Sequence, residues 1–273
     1  MKSRLSPVAV VCAAFVGFFL LLPLIAVVPV SFTPKRFLSL PEDVWSLRHY
    51  TALIERPQWL EATLTSVQIA FLSGLLATGL AFAFSLGIWM LRPRFSGLLI
   101  GLALLPMVAP PVVSALTLYF FLISVGKMNA LIGYDNMAGV VLAHTVMVVP
   151  FAVILISVAL AQVDRRIDLA ARAMGAGLLT RIFVVLLPNI RFGVLTAFFL
   201  AFVLSWEEIG VTIFITSVQV ITLPRLMWMG LRDNIDPAIA AVSVILIVIV
   251  TLVIVSRAIL SAFLCRRAKV DSS

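Results

Sequence analysis

The sequence is poor in charge. Lysine, arginine, aspartate and glutamate make up 12% of its 273 residues, whereas soluble domains carry about 25%. It has two histidines and two cysteines. It contains no His-Glu-x-x-His, no Gly-x-Ser-x-Gly and no Gly-x-x-x-x-Gly-Lys-Ser/Thr. Those absences remove the zinc-protease, serine-hydrolase and phosphate-loop designs, so no catalytic residue and no metal site is expected. Cys12 and Cys265 lie in or beside opposite terminal apolar segments without Cys-x-x-Cys spacing, so a structural disulfide is not expected either.

What replaces charge is apolar surface. Hydrophobic residues reach 63%, against about 45–50% in soluble proteins. That excess exceeds what one core can hide, and it excludes disorder and an ordinary soluble enzyme. A net charge of +8 would suit a nucleic-acid binder only on a soluble basic domain. No stretch here is large enough to form one, so no nucleic-acid partner is expected. The solvent is mostly a lipid bilayer.

A spanning helix needs about 20 predominantly apolar residues. Uncharged runs cover Leu5 to Pro34, Ala62 to Leu91, Phe95 to Gly126 and Asn136 to Val163. Phe192 to Pro224 is broken only by Glu207 and Glu208, and Ala238 to Ser256 is clean, with apolar pattern resuming to Cys265. The fold class is therefore an all-α membrane protein with six transmembrane helices. The first run follows Lys2 and Arg4 but is longer than a signal-peptide core, and no small-x-small cleavage site follows it. It reads as an uncleaved anchor.

Charge sets orientation. Thirteen of the 20 basic residues fall in one set of segments: Lys2 and Arg4, Arg92 and Arg94, five arginines from Arg165 to Arg191, and four residues from Arg257 to Lys269. In the opposite set, basic charge is balanced by acids such as Glu42, Asp43, Glu55, Asp135, Asp233 and Asp236. The positive-inside rule then places the first set, and both termini, in the cytoplasm. Trp59 and Trp89, near the two ends of the second span, are expected to act as interfacial anchors.

The segment from Asp164 to Asn189 is too polar at its start to span and too patterned to be a mere linker. Ile167, Ala170, Ala171 and Met174 recur at helical spacing, and Asp168 with Arg172 forms a favourable i,i+4 pair. Gly175 and Gly177 then end the helix, and Pro188 ends or kinks the next apolar stretch. Two short helices at an angle are expected on the membrane face.

These residues resemble a known pattern. Leu169-Ala170-Ala171, then Gly175, then Leu187-Pro188 ending thirteen residues after that glycine, is similar to the EAA loop of ATP-binding-cassette importer permeases. The family carries Glu-Ala-Ala, three residues, Gly, and an apolar-x-Leu-Pro end. Leu169 stands in the glutamate position here, with Asp168 as the nearest acid. The resemblance implies a type I importer permease fold in which a coupling helix built from Asp168, Leu169, Ala170, Ala171, Arg172, Gly175 and Pro188 docks on a cytoplasmic ATPase. It implies further partners: a homologous second permease or a second copy of this chain, a dimeric ATPase that binds the ATP and Mg, and an extracytoplasmic solute-binding protein. It divides the chain into a first helix and outer loop (1–56), a permease domain (57–264, with the coupling loop at 164–189) and a cytoplasmic tail (265–273). A bacterial inner membrane is the implied location.

Within the family, Leu204-Ser205-Trp206-Glu207-Glu208-Ile209, Ile213-Phe214-Ile215-Thr216, Thr222-Leu223-Pro224 and Ile235-Asp236-Pro237 look most like the spermidine/putrescine permeases. Pro111 replaces an acid that those proteins carry in the third span, so opines, amino-acid derivatives and aminophosphonates stand beside polyamines as implied solutes.

Glu207 and Glu208 lie some 16 residues into a helix starting near Arg191, or roughly 24 Å along it. A carboxylate in lipid normally faces a cavity or a partner. Adjacent residues of a helix point about 100° apart, so the two are not expected on one surface. Trp206 could add a cation–π face or serve as packing, and Pro110 and Pro111 are expected to break the third span, as a gate element or as a structural kink. His144 is expected to be hydrogen-bonded packing, and His49 a surface residue. The competing class is an ion-coupled secondary transporter using Glu207 and Glu208. It leaves the patterned 164–189 loop unexplained.

Overall fold

The computed structural model describes residues 7–42, 44–129, 131–233 and 236–270. Lys2, Arg4, Asp43 and Ile235 lie outside them, as do the side chains of Asp233, Cys265, Arg266, Arg267 and Lys269. The described residues form helices and connecting chain, without a strand. Six helices are long and apolar enough to cross a membrane: Val8–Val30, Pro57–Leu91, Pro111–Met128, Met137–Ala161, Leu178–Trp206 and Ala238–Ser261. The all-α, six-span architecture read from the sequence is the architecture found.

The chain divides into two compact units, residues 1–60 with 227–273, and residues 61–226. In the first, α1 (Pro7–Val30) and α2 (Arg48–Glu55) each pack on α12 (Ala238–Val270). The loop leading to α2 folds on its own side chains. Phe32 lies between the rings of Trp45 and Tyr50, and Ser31 meets the Tyr50 hydroxyl at 2.7 Å. His49 is buried, not superficial, with Nε2 3.1 Å from the Lys35 carbonyl. Arg56 pairs with Asp236 at 3.3 Å.

The second unit holds most of α3 (Pro57–Leu91), then α4 (Ser96–Val108), α5 (Pro111–Met128), α6 (Met137–Ala161) and α7 (Arg165–Ala173). α8 (Leu178–Thr180), a π-helical turn (Arg181–Leu186) and α9 (Leu187–Trp206) follow. α10 (Thr212–Ile215) comes next, and α11 (Leu223–Asp233) begins before the boundary and runs into the first unit. α6 is the central helix. On one level its Val153, Ile156 and Leu160 meet Ala81 and Leu86 of α3 and Ile190 and Ala197 of α9. Nearer its start, Val140, Val141 and Ala143 join Ile69, Ala115, Leu122, Val211 and Ile215. Small residues let the helices come close, as expected where lipid supplies no hydrophobic driving force. A Cβ on Gly193 would overlap that of Ala159, so α9 reaches α6 only through a glycine.

The expected break in the third span is present, and two further expectations are corrected. The third apolar run is two helices, because Ala109 is extended (φ −67°, ψ 137°) before Pro110, and Pro111 opens α5. A residue before proline is driven out of the helical region, and proline has no N–H to continue the ladder. Only α5 then has spanning length. The fifth run begins earlier than Phe192 and ends at Trp206, since α8, the π turn and α9 are continuous through αR residues at Thr180, Leu186 and Leu187. Trp59 and Trp89 are buried in protein instead of standing exposed as anchors.

Candidate functional site: the helix-end turn and helix α7

The end of α9 builds the first element. Glu207 closes the helix, its N–H bonded to the Val203 carbonyl at 3.1 Å. Glu208 then turns its carboxylate back on the chain, where Oε1 accepts from Val211 N at 2.8 Å. The two glutamates therefore sit just beyond a helix end, on a turn, and the 100° spacing of helical neighbours does not apply. Both face one cavity of about 470 Å³, together with Pro111, Met147, Val148, Phe151 and Leu204. The expectation that they diverge is overturned by the early end of α9. Pro110 and Trp206 are not in that wall; Trp206 stacks on Phe202 with centroids 6.3 Å apart.

A buried histidine holds this turn. His144 of α6 is 1% exposed, with Nδ1 2.8 Å from the Ser205 hydroxyl and Nε2 2.9 Å from the Thr212 hydroxyl. Thr212 Oγ1 donates to the Glu208 carbonyl at 2.9 Å. Its single hydroxyl proton is thus committed, so it accepts from His144. The neutral imidazole carries its proton on Nε2, and Nδ1 accepts from Ser205. One side chain thereby bonds both the last turn of α9 and the start of α10, bridging the glutamate turn. Packing was the expected role; the bridging depends on chain segments 61 and 68 residues away in sequence.

A second clamp follows. Asp135 precedes α6 with φ +53°, and its carboxylate accepts from the backbone N–H groups of Ser217, Val218, Gln219 and Val220 at 2.7–3.2 Å. Burial alone would raise its pKa; the four amides outweigh that, and the carboxyl lies below its ordinary value. The sequence marks Asp135 only as one acid of an outer loop.

Helix α7 is the third element. Asp164 caps α7 by accepting from Arg166 N at 2.9 Å. At the other end Gly175, with φ +80°, donates to the Arg172 carbonyl, and Ala176 donates to the Ala171 carbonyl, each at 3.0 Å. That is a Schellman ending, in which glycine tolerates the left-handed residue. The predicted stop at Gly175 is met. The predicted second short helix is instead the base of the fifth span. Pro188 does not end it: the π turn just before relieves the ladder, and the Asn189 side chain donates to the Val185 carbonyl at 2.7 Å.

The faces of α7 also differ from the pattern. Asp168 and Ala171 are turned inward, while Leu169 and Met174 are 59% and 81% exposed. Asp168 pairs with Arg181 of the π turn, not with Arg172. The inward position is filled by a satisfied ion pair, and α7 leaves apolar residues exposed. Among the described residues no group of His, Cys, Asp and Glu could hold a metal ion.

Comparison with known proteins matches residues 78–270 to the binding-protein-dependent transport system inner membrane component family. A probable molybdenum ABC transporter permease of Haloferax volcanii is 33% identical over 184 residues, 66% of this chain and 67% of that protein. The putrescine permease PotI of Escherichia coli K12 is 27% identical over 84% and 82% of the two chains. The spermidine/putrescine permease PotC of Haemophilus influenzae is 26% identical over 88% and 91%. The crystal structure of a bacterial ABC transporter that imports the acidic polysaccharide alginate shares the fold, with a TM-score of 0.65 and 16% identity over 96% of this chain and 98% of that one. The chain belongs to the inner-membrane permease family of binding-protein-dependent ABC transport systems, as a transport subunit that works with a partner ATPase and is not itself an enzyme.

Proposed function

We propose that this permease forms half of the pathway for a small amine-bearing solute, a polyamine, opine, amino-acid derivative or aminophosphonate. The observation that carries the proposal is the pair of carboxylates, Glu207 and Glu208, on one cavity whose lining, among the described residues, has no basic side chain. A cation there meets charge of opposite sign in a wall that is otherwise largely apolar, where attraction is less screened than in water. An anionic solute would meet only repulsion. The putrescine and spermidine/putrescine permeases among its relatives are named for amines, which supports the same choice. Pro111 in the wall, with Pro110 before it, gives the α4–α5 break a part in opening the cavity, while Trp206, which stacks on Phe202 outside the wall, would offer a π face only on turning toward it.

The other half comes from a homologous permease or a second copy. An extracytoplasmic binding protein delivers the solute, and a dimeric cytoplasmic ATPase binds the ATP and Mg. α7 and the segment to Pro188 dock on that ATPase in the cytoplasm of a bacterial inner membrane, with both termini on the same side. Residues 57–264 act as the permease domain, with 1–56 as an added helix and outer loop and 265–273 as a tail. An ion-coupled secondary transporter is not in accord with membership of an ATP-driven family.

The test is ATP-driven uptake of radiolabelled putrescine by the reconstituted importer carrying Glu207→Gln, Glu208→Gln or both. The double variant is expected to lose about tenfold or more in kcat/KM, the scale of one buried charge contact. Stimulation of the ATPase by loaded binding protein should persist. Uptake at the unaltered rate, or a binding protein that copurifies with a solute lacking an amine, would overturn the proposal.

A further inference from the structure

A second cavity, of about 380 Å³, lies at the α7 end of the spans, among α3, α4 and α6. Ser85, Trp89, Arg92, Ser96, Ser157 and Arg165 supply its polar lining, and among the described residues no carboxylate is part of its wall. Arg165 lays its guanidinium over the buried Trp89 ring, 4.8 Å from the centroid. Burial first, and the like charge of Arg92 second, lower the pKa of Arg165, while Asp168 acts in the opposite direction. The two arginines thus share one cavity and repel each other across it.

Arg92 adds an independent observation. It has φ +47°, in the left-handed region that ordinarily falls to glycine at a helix end. Its N–H closes α3 on the Ile88 carbonyl at 3.1 Å, and Pro93 follows. The side chain is exposed, so packing gives no reason for arginine here. Strain of this kind is retained where the side chain has other work. At the cavity floor, Ser157 donates to Ser85 Oγ at 3.0 Å and Ser85 donates to the Val153 carbonyl at 3.4 Å, so neither proton is left for a ligand. The guanidiniums of Arg92 and Arg165 and the Ser96 hydroxyl are donors on the same cavity. Leu91, Phe95 and Leu98 are exposed apolar neighbours, which sets the two arginines at the level where acyl chains give way to headgroups.

We propose that this cavity binds the phosphate of an anionic phospholipid headgroup between Arg92 and Arg165. A phosphate presents several acceptor oxygens to planar guanidinium forks, relieves their mutual repulsion, and anchors the α3–α4 corner beside the docking helix. Free inorganic phosphate offers the same chemistry, and the two sources are separable.

The complete importer, in nanodiscs of phosphatidylcholine with phosphatidylglycerol, is extracted and weighed by native mass spectrometry to count retained lipid. Retention of phosphatidylglycerol is expected to fall about tenfold in Arg92→Gln and in Arg165→Gln, the loss of one charge-assisted contact. It should be unchanged in Arg94→Gln, which removes the same charge two residues away. A parallel arm titrates inorganic phosphate into the lipid-free, detergent-solubilised importer. Binding of phosphate that needs both arginines, without selective retention of the lipid, upholds the site and assigns it to the free ion. Equal loss of lipid in Arg94→Gln, or no arginine dependence in either arm, overturns the proposal. Should the glutamine variants fail to assemble, Arg92→Lys and Arg165→Lys decide. They keep the charge but not the fork, and intermediate retention is expected; retention equal to that of the unaltered protein in both overturns the two-fork site.

Discussion

Arg181 grips Asp168 with two parallel bonds, Nε to Oδ1 at 2.7 Å and Nη2 to Oδ2 at 2.6 Å. Both side chains are nearly buried, at 12% and 11% exposure. The pair ties α7 to the base of a helix that runs from Leu178 to Trp206, roughly 44 Å at 1.5 Å per residue. That helix ends on the Glu207–Glu208 turn. The pair thus joins α7 directly to the element that carries the two carboxylates.

Removing one member of this pair should uncouple the two ends. Asp168→Ala or Arg181→Ala leaves a buried charge alone, at a cost of about 3–5 kcal/mol. ATP-driven uptake by the reconstituted importer is expected to collapse while solute binding by the separate binding protein is untouched. The double Asp168→Ala, Arg181→Ala variant should lose less stability than the sum of the singles. Strict additivity in thermal unfolding would argue that the pair does not act as a unit.

Gly175 should tolerate no β-branched residue. At φ +80° valine would cost about 1–2 kcal/mol in backbone strain, although a Cβ there would meet no neighbouring atom within 4 Å. Gly175→Asn should be far milder, because asparagine accepts the left-handed region. Copurification of the ATPase with each variant measures the effect. Equal ATPase recovery from Val and Asn variants would show that the left-handed turn does not set the docking geometry.

His144→Ala should loosen the glutamate turn. It strands the Ser205 hydroxyl, a loss of about 1–3 kcal/mol for an unsatisfied buried group, and removes one of two bonds at Thr212, which keeps its bond to the Glu208 carbonyl. Uptake should show a raised KM for putrescine together with a lower melting temperature. His144→Gln, able to donate to one hydroxyl and accept from another, should restore part of both. A melting change with KM untouched would make the histidine structural only.

Asp135 should give a pH dependence. Its folded pKa lies below the ordinary aspartate value that it takes up in the unfolded chain, so its contribution is complete above that unfolded value. The contribution is lost as pH falls through the folded pKa, because protonation weakens the grip on four amides. Asp135→Asn should remove that acid-side loss and lower the melting temperature at neutral pH. Thermal melts of the importer between neutral pH and acid read both changes; parallel melting curves for the two proteins would contradict the clamp.

Much of this was legible in the chain. Uncharged runs marked the spans because lipid forbids unpaired charge along about 20 residues. The Gly175 stop was legible because left-handed φ strongly favours one residue type. Pro110 and Pro111 marked the break between α4 and α5 for an equally local reason. His49 and Trp59 were misjudged because burial is decided by neighbours distant in sequence. Arg181 could not be chosen as the partner of Asp168, since helix spacing pointed to Arg172.

The sequence by itself determined that the protein lives in lipid, how many times it can cross, and which loop resembles an ATPase contact. These follow from composition and short-range sterics, which act within one turn of chain. Only the tertiary structure decided that α9 stops at Trp206 and that both glutamates face one cavity. It also brought His144 to Ser205 and Thr212, and Asp135 to four amides of another loop. Those placements arise from chain segments 61 to 85 residues apart packing together, which no local pattern encodes.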